Sequence, residues 1–129
     1  MRSGMGKNDE QIDCFLYHAY RPEFYNMYPD NDYCSISAES LLCSDHITLH
    51  ISNSNTLKAT FTGNCCRICL ACTSLVVSTI NKSNFDEIDE IDLNFIKYKF
   101  GAAIVDSKRE CCTLALQALT AYKKRKDEI

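Results

Sequence analysis

The stretch Phe61-Thr62-Gly63-Asn64-Cys65-Cys66-Arg67-Ile68-Cys69-Leu70-Ala71-Cys72 joins two kinds of hydrophobic periodicity. Before it, Leu57, Ala59 and Phe61 alternate with polar neighbours, the period of a half-buried strand. After it, Ile68, Leu75 and Ile80 mix with Ala71, Cys72, Thr73 and Ser74, small residues that let a helix lie close to a sheet. The spacing predicts a strand ending near Phe61, a turn at Gly63 and a covering helix from Cys66 to about Ile80.

Upstream, Ile47, Leu49 and Ile51 repeat the alternation, and Ser52-Asn53-Ser54-Asn55 is a turn-forming cluster between the two runs. These runs predict an antiparallel hairpin. A looser alternation from Tyr33 to Leu41 predicts a third strand beside it. Ile12, Phe15, Leu16 and Ala19 predict a helix from about Glu10 to Tyr20, stopped before Pro22. The aromatic run Tyr20 to Pro29 reads as a loop laying rings on the core. Downstream, Asn84 is a cap for a short acidic helix through Glu90, and a further helical turn runs from Asp92 to about Lys99, ended by Gly101. A last helix is expected from about Ser107 to Lys124, with Cys112, Ala115, Leu116 and Leu119 as its apolar stripe. The basic run Lys123 to Lys126 reads as its solvated end. The fold class that follows is α+β, a three-stranded antiparallel sheet covered on one face by helices. Residues 1–10 are expected to be a disordered N-terminal segment and residues 11–126 a single domain.

At 129 residues the chain can bury one core. A net charge of -3 offers no basic footprint, so nucleic acid is not an expected partner. No apolar run approaches the roughly 18–20 residues of a membrane span, so no membrane is expected either. No apolar core marks a secretory signal near the N-terminus, which makes the cytoplasm the expected location. Nine cysteines are the anomaly. An odd count with two adjacent pairs, Cys65-Cys66 and Cys111-Cys112, fits ligation or sulfur chemistry in a reducing compartment better than disulfides.

A thiol ligates or attacks as thiolate, and the free N–H groups of a helix N-terminus favour that form. Cys66 is placed at the start of one helix and Cys111 in the first turn of another. Cys43 and Asp45 lie in the turn before a strand, where residues two apart face the same way. The candidate site is therefore Cys43, Asp45, Cys66 and Cys111. Three thiolates and one carboxylate suit tetrahedral zinc or an iron–sulfur cluster. Cys69 and Cys72 read as core packing, Cys65 and Cys112 as pointing away from the site, and Cys14 and Cys34 as structural. His18, His46 and His50 are further candidate ligands, with His46 facing away from Asp45.

These residues resemble the NifU/IscU/SufU group of iron–sulfur cluster assembly scaffolds over roughly residues 12–124. Cys43-Ser44-Asp45 resembles that group's Cys-Gly-Asp turn. The Phe61–Cys72 stretch resembles its Phe-x-Gly-x-Gly-Cys-x-Ile-Ser-x-Ala-Ser segment, with Cys66 at the ligand position. Lys108-Arg109-Glu110-Cys111 resembles the approach to its late cysteine, and Tyr17-His18 through Pro22 its first helix and exit. Ser44 and Cys65 stand in place of glycines, and Cys69 and Cys72 in place of serines. Glu110 stands where one branch has histidine. The Leu-Pro-Pro-Val-Lys segment that docks a chaperone is absent, so a chaperone partner is not implied.

The resemblance implies a scaffold rather than an enzyme. It would take sulfur from a cysteine desulfurase onto Cys111 or Cys66, build a [2Fe-2S] cluster with iron, and pass it to acceptor or carrier proteins. The alternative it implies is a zinc-binding sulfurtransferase of SufU type.

Overall fold

The structure, a computed structural model, describes residues 7–30, 32–41, 44–53 and 56–127. Three strands, Cys34–Glu39 (β1), His46–Asn53 (β2) and Leu57–Asn64 (β3), form one antiparallel sheet in the order β1-β2-β3. Pairs such as Ile36 with Leu49 and Leu49 with Phe61 set the register. This register puts Ile36, Leu49, Ile51, Ala59 and Phe61 on one face, and all five are buried. A slip of one residue would turn every one of them outward.

Among the described residues, five α-helices cover that face or pack behind it: Lys7–Tyr20 (α1), Arg67–Ile80 (α2), Leu93–Phe100 (α3), Ala102–Ser107 (α4) and Arg109–Asp127 (α5). Helix α2 packs over β3 and α5 over β1 and β2, and the two helices pack on each other. Helix α1 flanks α2, and α3 bridges α1 and α5. The other face of the sheet is polar: Ser37 bonds Thr48 across β1 and β2 at 2.7 Å, and His50 lies between Ser35 and Thr62. The fold is α+β with one helix-covered sheet face, as the periodicity predicts.

The differences in detail have local causes. Helix α1 begins at Lys7, three residues before the expected start, so residues 7–10 are helical; residues 1–6 lie outside the described residues. Past Tyr20, the last residue of α1, the chain does form a loop to Pro29, but only part of it packs inward. Phe24 and Tyr25 lie against the core, Tyr25 bridges Phe61 in parallel, and Tyr20 and Tyr28 remain exposed. The acidic segment is a 3-10 turn over Phe85–Glu90, with Glu87 reaching back to the Asn84 N–H at 2.7 Å. Between α3 and α5 stands α4, over residues to which the sequence reading assigned no element. Lys108, at φ -145° and ψ 55°, breaks the two apart.

Gly63 plays a part other than the expected one. Strand β3 continues through it to Asn64, so the chain turns at Cys65-Cys66 instead. At φ 144°, a Cβ on Gly63 would stand 2.4 Å from the His46 carbonyl oxygen and 2.7 Å from the Ile47 Cα. Glycine there lets the end of β3 press against the start of β2, which carries the loop that bears Asp45.

Candidate metal centre

Asp45, Cys66 and Cys111 come from three remote segments, and one ligand atom of each lies within 4.8 Å of the others. Among the described residues, these three alone of the His, Cys, Asp and Glu side chains group in this way. Cys43 lies outside the described residues, as does its neighbour Leu42.

Each of the three is fixed by the backbone that carries it. Asp45 directly precedes β2 and is buried. Its two oxygens have separate partners: Oδ1 accepts the Cys66 backbone N–H at 2.9 Å, and Oδ2 accepts the Cys111 thiol at 3.2 Å. Cys66 is the N-cap of α2, in extended backbone, and its Sγ accepts the Cys69 N–H at 3.4 Å. That bond supplies a sulfur with the unpaired donor a helix start leaves over. Cys111 lies in the first turn of α5 and is only 6% exposed, whereas Cys66 is exposed. The site thus has one accessible sulfur and one sheltered sulfur, tied together by a carboxylate. Leu41, 96% exposed, and Glu110, the residue before Cys111, line a groove of about 560 Å³ that flanks it.

The electrostatics correct one expectation. The helix-start argument predicts a lowered pKa for Cys111; burial instead pushes this thiol up, and the Asp45 carboxylate and the Cys66 sulfur push the same way. Two acidic groups that share one small volume disfavour each other's ionisation, and a cation between them reverses the sign of that interaction. The donor set therefore fits a soft or borderline cation, with two thiols and one carboxylate at hand.

Cys69 and Cys72 are fully buried, as their reading as core packing requires. Neither Cys65 nor Cys112 joins the group of three. Cys65 is half-buried against the core, and Cys112 is fully buried with its thiol 4.0 Å from the Val105 carbonyl oxygen. Cys34, expected to be structural, is exposed at the start of β1, because β1 is an edge strand. Cys14 is half-buried.

None of the three histidines joins the group. His18 Nδ1 lies 2.7 Å from Ser74 Oγ, and His50 is held by Ser35 and Thr62 on the polar sheet face. His46 is exposed on that same face, opposite Asn64.

The model of the NifU-like N terminal domain matches residues 13–128. The chain belongs to the NifU-like N-terminal domain family. Solved structures share the family fold at low identity. A NifU-like protein (N-terminal) from Brucella abortus aligns at TM-score 0.72 and 13% identity, covering 92% of this chain and 96% of its own. A candidate iron–sulfur cluster assembly scaffold protein for the SUF system from Fervidobacterium islandicum AW-1 aligns at 0.68 and 17%, covering 84% and 93%. A protein described only as hypothetical aligns at 0.62 and 21%, covering 87% and 95%. No curated protein matches the sequence. At these identities the likeness speaks for the fold of a NifU-like domain. No helix among the described residues is long and apolar enough to cross a membrane.

Proposed function

We propose that this NifU-like chain is an iron–sulfur cluster assembly scaffold whose working site is Cys43, Asp45, Cys66 and Cys111. The observation that carries this reading is the convergence of Asp45, Cys66 and Cys111 within 4.8 Å, from three segments far apart in the chain. Sulfur and iron are its substrates, and the assembled [2Fe-2S] unit is its product.

The chain's own residues divide the work. Cys66 is exposed, and its sulfur is held in place by the Cys69 N–H, so it is the group a persulfide on a cysteine desulfurase can reach. Cys111 holds its proton against Asp45 until a cation displaces it. Asp45 offers a hard oxygen among soft sulfurs, so its bond to the product is the weakest of the set and favours release to an acceptor or carrier protein. The exposed Leu41 and the groove beside it leave the mouth of the site open to such partners.

A second reading is favoured by the compactness of the group. Ligand atoms this close together match one tetrahedral ion better than the two ends of a binuclear cluster. Under it the site holds zinc, and the chain passes persulfide sulfur onward as a sulfurtransferase. Metal analysis with a visible spectrum after anaerobic reconstitution separates the two. Iron, sulfide and a charge-transfer band support the scaffold; zinc without colour supports the transferase. Full-length protein that binds neither metal overturns both.

A further inference from the structure

A cavity of about 480 Å³ lies between α1, α2 and α3, and none of the proposed metal ligands lines it. Its charged side chains are Glu23, Lys82 and Lys99, while Leu75 and Phe95 give it an apolar wall. His18 also lines it, although the residue is only 7% exposed.

Hydrogen bonds decide which groups in the cavity are already occupied. Ser74 is fully buried and does not line the cavity. Its Oγ accepts the Glu23 backbone N–H at 2.8 Å and lies 2.7 Å from His18 Nδ1. Among the described residues that nitrogen is the one acceptor for the Ser74 hydroxyl proton, so Ser74 donates to Nδ1. Burial lowers the His18 pKa, so the ring is neutral at pH 7 and carries its proton on Nε2. With Nδ1 turned to Ser74, the opposite edge of the ring borders the cavity. Its Nε2–H has no partner among the described residues. Glu23 is held at both oxygens: the Ser78 hydroxyl donates to Oε1, and the Tyr17 hydroxyl donates to Oε2 at 2.8 Å. Neither Lys82 nor Lys99 makes an ion pair among the described residues.

Lysines near helix ends are ordinarily solvated partners of the dipole. Here they border a cavity that also holds a buried N–H donor with nothing to accept it. Two lysines against one glutamate leave the lining with one excess positive charge. We propose that this cavity binds a small organic monocarboxylate, with its oxygens on His18 Nε2 and the two ammonium groups and its apolar body on Leu75 and Phe95. The volume is that of a small-ligand pocket. A phosphate monoester offers the same acceptor oxygens but carries more than one charge at pH 7. Glu23, fixed by Ser78 and Tyr17, repels that extra charge and so sets the preference for a monoanion. The inference is independent of the scaffold reading.

The test follows the His18 ring signals of the full chain by NMR at constant pH 7 while benzoate, phenyl phosphate or benzyl alcohol is added. The three probes share an aromatic body and differ in the charge they carry. Benzoate should shift the His18 signals saturably and bind tightest of the three. Lys82→Ala and Lys99→Ala should each weaken it about tenfold, the worth of one charge-assisted bond. Lys124→Ala, the same loss of charge on α5, should leave benzoate binding unchanged. No saturable shift with any of the three overturns the site. Benzyl alcohol bound as tightly as benzoate overturns it as well, because charge would then play no part. Tighter binding of phenyl phosphate than of benzoate overturns the preference for a monocarboxylate and assigns the cavity to phosphate esters. Equal weakening of benzoate by all three lysine substitutions reduces the effect to net charge and also overturns the site.

Discussion

Asp45 and Cys111, separated by 66 positions, meet through a thiol-to-carboxylate hydrogen bond of 3.2 Å in the buried floor of the site. The other oxygen of Asp45 accepts the backbone N–H of Cys66. One carboxylate thus positions both sulfurs, and it does so before any cation is considered. Its substitution should separate a structural loss from a chemical gain. Asp45→Ala leaves a part-buried N–H without its charged acceptor, which costs about 1–3 kcal/mol in urea denaturation. After anaerobic reconstitution, the same variant should keep its visible absorbance several-fold longer, because the weakest ligand has gone. Equal or faster bleaching would remove Asp45 from the release step.

Cys66 has two duties, and they can be split. As N-cap it accepts the Cys69 N–H, and as ligand it offers thiolate. Cys66→Ser preserves the cap and should stay within about 0.5 kcal/mol of the parent, while Cys66→Ala should lose about 1 kcal/mol. Both should lose metal, measured by emission spectrometry on the purified protein. Metal retained in either variant places the site elsewhere.

Gly63 sits where neither a side chain nor its backbone angle can be accommodated. The atoms that a Cβ would strike are backbone atoms of His46 and Ile47, which cannot swing aside. Gly63→Ala should lower stability by about 3 kcal/mol, the upper part of the range for a strained backbone position. It should also displace Asp45 relative to Cys66, because His46 adjoins Asp45. A denaturation midpoint within error of the parent would show that the contact relaxes freely.

His18 gives the fold a pH dependence remote from the metal centre. Burial against Phe100 and Ser74 lowers its pKa, and Glu23 only partly opposes this. A lowered folded pKa means that the unfolded chain binds the proton first. The stabilising contribution is therefore complete above the unfolded value of roughly 6.5 and drains away as pH falls below it toward the folded value. Urea midpoints should decline from pH 7 to pH 5, and His18→Gln should flatten that slope. An unchanged slope would assign the decline to other groups.

Much of this was legible in the residues alone. Alternation at Ile47, Leu49, Ile51 and at Leu57, Ala59, Phe61 set the hairpin, because a period of two has only one buried face to serve. Cys66 could be placed at a helix start because the period changes there. Asp45, Cys66 and Cys111 were recognisable as donors by type and position. Other features were not legible. Asn81, just past the expected end of the covering helix, takes the Ala59 N–H on its Oδ1 in the fold and donates to the Ala59 carbonyl, acting as a strand partner for the edge of β3. Helix α4 was not read because six residues, Ala102–Ser107, are too few to show a helical period.

By itself, then, the sequence determined the elements, their order and which side chains could serve as ligands, since these follow from local periodicity and residue chemistry. Only the tertiary structure decided which donors share a volume, and that burial rather than the helix start governs the Cys111 thiol. Those outcomes depend on the rotation and offset of α2 and α5 over the sheet. That docking is a property of the whole packed core, and no single segment encodes it.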